Sequence, residues 1–87
     1  MIRALVIDDS AYNRVTLSRM LEASGEVTVV ATAVDGEDGI RQTIRHRPEV
    51  ITLDLEMPGI DGFAFLRWLM ANHPLPVIAV SSRVSDR

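Results

Sequence analysis

Three carboxylates and one hydroxyl stand where short apolar runs give out. Asp8 and Asp9 follow Leu5-Val6-Ile7, Asp54 follows Val50-Ile51-Thr52-Leu53, and Ser81 follows the run Pro76 to Val80. If those runs are parallel strands, the four side chains converge at one edge of one sheet. Carboxylates gathered in that way repel one another, so the arrangement points to a divalent cation held among them and to uptake of a phosphoryl group.

The elements that must position these groups belong to a chain of 87 residues, 47% of them apolar, with a formal charge of −3 and no cysteine. That length suits one small domain, which buries roughly 60–65% of its unfolded surface and so has a thin stability margin. Charges of both signs are spread along the chain and no basic stripe stands out, which argues against nucleic acid as a partner. Without cysteine there is no disulfide framework and no thiolate metal site. The first seven residues are too few for a signal peptide or a membrane span, and acids follow at once. A soluble cytoplasmic protein with no membrane partner is the expectation.

Strand-length apolar runs alternate with amphipathic stretches of helix length. Arg3 to Ile7 reads as a buried strand. Ser10 is placed to cap a helix in which Leu17, Met20 and Leu21 recur at helical spacing, and Gly25 supplies a stop. Val27 to Ala33 is a second strand. Asp35 caps a helix with Ile40 and Ile44 on one face, closed by Pro48. Val50 to Leu53 is a third strand. After Met57-Pro58-Gly59, Asp61 is placed to cap a third helix with Phe65, Leu66, Leu69 and Met70 inward. Asn72, His73 and Pro74 end that helix, and Pro76 to Val80 is a fourth strand. There is no internal repeat or linker.

Strict alternation of strand and helix implies parallel strands, right-handed crossovers and helices on both faces of the sheet. Strands covered on both faces explain why the runs are apolar throughout. The expected class is therefore α/β, a doubly wound parallel sheet of the flavodoxin-like kind. Its order 2-1-3-4-5 is carried over from that class rather than read from the residues, and its ligands bind beyond the carboxyl ends of the strands, at the reversal between the first and third. Asp8, Asp9, Asp54 and Ser81 all fall there.

Leu5 to Ser10 (LVIDDS), Thr52 to Gly62 (TLDLEMPGIDG) and Pro76 to Ser82 (PVIAVSS) resemble, in that order, the receiver domains of two-component response regulators. The wording RALVIDDSA with LPVIAVSSR is similar to the amino-terminal receiver of chemotaxis-type protein-glutamate methylesterases. The resemblance implies that Asp54 is the phosphoacceptor and that Asp8 and Asp9 hold Mg2+, which also takes the main-chain carbonyl of Glu56. It makes Ser81 the hydroxyl that turns toward the acquired phosphoryl group, with Ser82 lining the same pocket. It further implies a sensor histidine kinase or small phosphodonor as partner, and an output domain or partner protein outside this chain.

The chemistry agrees. Mg2+ takes oxygen ligands and is commonly held by one or two carboxylates together with phosphate oxygens. A cation there offsets the repulsion between Asp54 and an anionic donor. A Ser81 hydroxyl can donate to a phosphoryl oxygen, so its rotamer would differ between the free and modified states. Each residue also has a plainer reading. Asp8 and Asp9 suit a helix amino end, Asp54 a turn, and Ser81 a strand end bonded to local backbone. Asp35 and Asp61 read as N-caps, and the Glu56 side chain as a solvated carboxylate whose charge would repel an attacking water. His46 and His73 read as helix-end surface residues with no second ligand at zinc spacing. Trp68 falls off the inward stripe and reads as a lone exposed aromatic, and Arg41, Arg45 and Arg47 as a solvated face.

Complete receivers have five strands and five helices, so residues 1–87 read as one receiver domain, incomplete at its carboxyl end and truncated after the fourth strand. The fourth helix, the fifth strand and the fifth helix are missing, and with them the phosphoryl-gripping lysine. No methylesterase domain is expected, and the chain reads as a regulatory domain rather than an enzyme. An exposed fourth-strand edge invites self-association. The main rival is a receiver-derived fragment acting as a non-phosphorylated interaction or self-assembly module. A flavodoxin-like cofactor carrier would need a Gly- and Ser/Thr-rich loop where Asp8-Asp9-Ser10 stands. An aspartyl-nucleophile phosphatase would carry its two acids one residue apart after the first strand.

Overall fold

A computed structural model of the chain describes residues 1–57 and 62–80. Its elements run β1 (Ile2–Ile7), α1 (Ala11–Ala23), β2 (Val27–Ala33), α2 (Gly36–His46), β3 (Val50–Asp54), α3 (Gly62–Asn72) and β4 (Val77–Val80). The strands form one parallel sheet in the order β2-β1-β3-β4. The order therefore reverses between β1 and β3, as the flavodoxin-like class requires.

Local chemistry accounts for the helix ends. Ser10 is extended and its hydroxyl accepts the Asn13 N–H, so it caps α1; Asp35 does the same for α2 through the Asp38 N–H. Gly25, at φ 79°, turns the chain out of α1 in the left-handed region that glycine enters without penalty. At the end of α2 that conformation falls on Arg47, with φ 47° and ψ 62°. Arg3 braces this end by donating from its guanidinium to the carbonyls of His46 and Arg47. Asp61, the expected cap of α3, lies outside the described residues.

The main buried cluster sits on one face of the sheet, while Ala4 and Val6 are buried on the other. Leu5, Ile7, Ile51 and Leu53 alternate along β1 and β3 toward Phe65 and Leu69 of α3, with Ala33 and Met57 completing the buried cluster. Here α2 approaches through small residues, since its buried positions are Gly36, Gly39 and Thr43. A Cβ on Gly39 would stand 2.8 Å from Ile7 Cδ1 and 3.1 Å from Phe65 Cε1. Ile44 is consequently 55% exposed, instead of sharing an inward face with Ile40. Met20 and Met70 also point outward, contrary to the expectation from spacing, while Trp68 is half-buried against the core with its ring 6.0 Å from that of Phe65. Trp68 is therefore a packing residue and not a lone exposed aromatic.

The opposite face carries α1, in which no residue is fully buried. A groove of about 360 Å³ runs beside α1, floored by Ala4, Val50 and Thr52 and reaching Ile78 on β4. The β1–β2 ladder slips at Val30, because Ala4 pairs with Val29 and Leu5 with Ala31. Glu22 of α1 accepts the Val29 N–H at 3.1 Å beside that slip.

Candidate functional site

β1 and β3 are adjacent and parallel, with Ile7 opposite Leu53, so Asp8, just past β1, and Asp54, the last residue of β3, stand side by side at the carboxyl edge of the sheet. The Asp8 N–H still bonds the Ala33 carbonyl at 3.1 Å, and the Leu55 N–H bonds the Val80 carbonyl at 3.3 Å. Both acids are thus held by the frame of the sheet. One carboxylate oxygen from each of Asp8, Asp9 and Asp54 lies within 4.8 Å of the other two. Asp8 and Asp54 are 2% and 1% exposed, and Asp9 is the exposed member of the group.

The remaining bonds fix the rotamers. Asp8 Oδ1 accepts the Ser10 N–H at 2.9 Å, and Asp54 Oδ1 accepts the Glu56 N–H at 2.9 Å. The second bond folds the main chain at Glu56 back against Asp54. Asp54 Oδ2 is buried and accepts no hydrogen bond. Burial pushes the Asp54 carboxyl above its ordinary pKa; the Glu56 N–H opposes this, and the charges of Asp8 and Asp9 add to it. A proton on Asp54 would be shared with Asp9, which raises it further.

This donor set fits a hard divalent cation. Such an ion takes carboxylate oxygens, relieves the repulsion within the trio, and supplies the partner that the orphaned Asp54 Oδ2 lacks. Asp8, Asp9 and Asp54 are therefore brought together, and Glu56 meets them through its N–H on Asp54 Oδ1. Ser81 and Ser82 lie outside the described residues.

Other acidic residues serve the fold. Asp38 accepts the Val34 N–H at 3.0 Å and pairs with Arg41 at 3.4 Å. Burial alone would raise its pKa, but these bonds, with one from Gln42, outweigh burial and lower it. Among the described residues, neither histidine joins the acidic group; the His73 ring lies 5.9 Å from that of Trp68. Two residues near the site were not singled out from the sequence. Arg14 donates to the Asp8 carbonyl at 2.8 Å, and Gly62 packs directly against the Asp54 backbone. The only prior signals were a cation on the helix that follows the acids and the glycine ending Ile-Asp-Gly.

Comparison with known proteins agrees with this geometry. The chain is 56% identical over 81 residues to protein-glutamate methylesterase/protein-glutamine glutaminase 1 of Myxococcus xanthus, covering 93% of this chain and 24% of that protein. It is 53% identical to enzyme 3 of the same description from Geobacter sulfurreducens, covering 98% of this chain and 23% of the relative. The chain thus spans about a quarter of the length of these relatives. The response regulator domain of Thermotoga maritima CheB superposes with a TM-score of 0.90 at 38% identity, covering 99% of this chain and 64% of that one. The signal receiver domain of the NarL regulator from Mycobacterium tuberculosis gives a TM-score of 0.86 at 33% identity, covering 97% and 68%. Residues 4–87 match the family described as the response regulator receiver domain, and the chain belongs to that family.

Proposed function

We propose that this chain is the phosphoacceptor module of a two-component signalling pathway and that Asp54 takes the phosphoryl group. The observation that carries this reading is the buried Asp54 carboxylate, with one oxygen fixed by the Glu56 N–H and the other unpartnered beside Asp8 and Asp9. The donor is a sensor histidine kinase or a small phosphodonor. One Asp54 oxygen forms the new O–P bond as the donor's P–N or P–O bond breaks, and that electron pair leaves with the imidazole or carboxylate.

Asp8 and Asp9, with Asp54 and the Glu56 main-chain carbonyl, are the residues that would hold Mg2+. When bound, Mg2+ would supply charge neutralisation between the carboxylate and the anionic donor. Ser81 is assigned as the switch hydroxyl and Ser82 as a residue lining its pocket, both from the family resemblance. The similarity to methylesterases suggests a chemotaxis pathway, with the output carried by a domain or partner outside these residues; no esterase activity is assigned to them. No helix among the described residues is long and apolar enough to cross a membrane, and a cytoplasmic setting suits this role.

The test is intact mass after incubation with Mg2+ and acetyl phosphate, for the chain and for Asp54→Asn. A gain of one phosphoryl group in the parent alone supports the proposal, and an equal gain in the variant sinks it.

A second reading is that of an interaction or self-assembly module. β4 borders only β3 among the described strands, Ile78 on it is 54% exposed, and it adjoins the apolar groove beside α1. An uncharged strand edge of this kind pairs readily with another chain. Light scattering that finds a monomer across a wide concentration range would remove this reading.

A further inference from the structure

We propose that Arg14 is a positioning residue for the cation site, acting through the main chain of Asp8. The inference rests on the reading of Asp8, Asp9 and Asp54 as that site.

Asp8 and Asp9 stand between the last residue of β1 and the Ser10 cap of α1. Two bonds that shape this junction are local: Ser10 N–H to Asp8 Oδ1 at 2.9 Å, and Asn13 N–H to Ser10 Oγ at 3.2 Å. The first closes within the junction and the second ties Ser10 to α1, so neither holds the main chain of Asp8. The third bond differs. Arg14, half-buried on α1, reaches back six residues and donates from Nη1 to the Asp8 carbonyl at 2.8 Å.

The Asp8 N–H is bound to Ala33 of β2. With Arg14 on the carbonyl, both main-chain polar groups of Asp8 are held, one by the sheet and one by the helix. Only rotation about its side-chain bonds is left, and the Ser10 N–H restricts that. Asp9, the next residue, takes its direction from the peptide plane whose oxygen Arg14 holds. Removing the guanidinium leaves the carbonyl of a residue that is 2% exposed without this donor. That peptide plane can then rotate, and it turns Asp9 relative to Asp8.

The positive charge of Arg14 acts in the opposite direction. A guanidinium bonded to the Asp8 carbonyl disfavours arrival of a second positive charge at the neighbouring carboxylates. Positioning strengthens cation binding and charge weakens it, so the sign of the change in a variant separates them. We infer that positioning dominates, because the bond is short and goes to the main chain and not to a carboxylate.

The experiment is calorimetric titration with Mg2+ of the 87-residue chain, Arg14→Met and Arg14→Lys, with thermal unfolding of each in EDTA. Loss of a group that orients a metal ligand typically weakens binding by about 10–100-fold, and Arg14→Met is expected near the lower end of that range. Arg14→Lys keeps the charge and a donor and is expected to recover part of the loss. Unchanged or tighter binding by Arg14→Met overturns the proposal. So does an equal loss in both variants accompanied by equal falls in Tm, which would assign Arg14 to general stability. If Arg14→Met does not fold, Arg14→Lys decides: weaker binding at unchanged Tm supports the proposal, and unchanged binding overturns it. A parent chain that binds no Mg2+ removes the site reading itself, an outcome distinct from any difference among the variants.

Discussion

Gly62, the first residue of α3, lies so close to the end of β3 that a Cβ there would stand 2.9 Å from the Asp54 carbonyl oxygen and 3.1 Å from Leu55 Cα. Both neighbours are backbone, so neither can swing aside. The strand that presents the Asp54 carboxylate and the helix that follows it are therefore set at a spacing only glycine allows. Gly62→Ala forces α3 away from β3 or distorts the chain at Asp54. Any gain in helix propensity is at most about 1 kcal/mol, whereas overpacking costs about 1–3 kcal/mol. Urea unfolding is expected to show net destabilisation, and labelling of Asp54 by acetyl phosphate should slow with it.

Much of this arrangement is legible in the residues. Apolar runs ending in Asp8 and Asp54 give the strands and place the acids at one edge, and Ser10 and Asp35 declare their caps through side-chain chemistry alone. The inward faces of the helices are less legible. Spacing gives the stripe but not the rotation of the helix against its neighbour, so Ile44, Met20 and Met70 are read inward and found outward. For α2 the reason is specific. The helix comes so close at Gly39 that the contact is made by small residues, which carry little hydrophobic signal. The role of Arg14 escapes notice because its partner is a carbonyl, and a main-chain oxygen leaves no mark in a sequence.

Arg47 holds the left-handed conformation at the end of α2 that glycine adopts without strain. A non-glycine residue there costs about 1–2 kcal/mol, part of which glycine returns through its greater freedom in the unfolded chain. The side chain is exposed, and the carbonyl that Arg3 grips belongs to the backbone and survives substitution. Arg47→Gly is expected to raise stability by about 0.5–1 kcal/mol. Scanning calorimetry showing a lower Tm would contradict this.

A cation bound by the native trio and not by the unfolded chain stabilises by mass action. At a concentration of Mg2+ about 100 times its Kd the gain is about 2.7 kcal/mol, which in a domain of this size raises Tm by roughly 10–20 °C. EDTA should reverse the shift. Asp9→Asn and Asp54→Asn should each lose most of it, while Glu37→Gln, a change in the first turn of α2, should keep it. Equal shifts in all four proteins would mean that Mg2+ acts elsewhere on the surface.

The raised pKa of Asp54 fixes a sign for pH. Its cause is burial first, then the charges of Asp8 and Asp9, against the opposing Glu56 N–H. Below the ordinary carboxylate value of about 3.9 the group is protonated in both folded and unfolded chains and carries no penalty. As pH rises past that value the unfolded chain releases its proton while the folded chain retains one, so the folded state binds more protons and stability falls. Above the native pKa both states are ionised, and the loss is complete and constant. In EDTA, Asp54→Asn should therefore be more stable than the parent at pH 7, and the difference should shrink toward zero as the solution is acidified through the native value and past the ordinary one. Asp38, whose pKa is lowered, loses its contribution in acid, but it does so in both proteins and cancels from the comparison. Urea midpoints for the two chains between pH 3 and pH 8 would test this, and a difference that widened in acid would show that the buried carboxylate is stabilised by a partner and not strained by its neighbours.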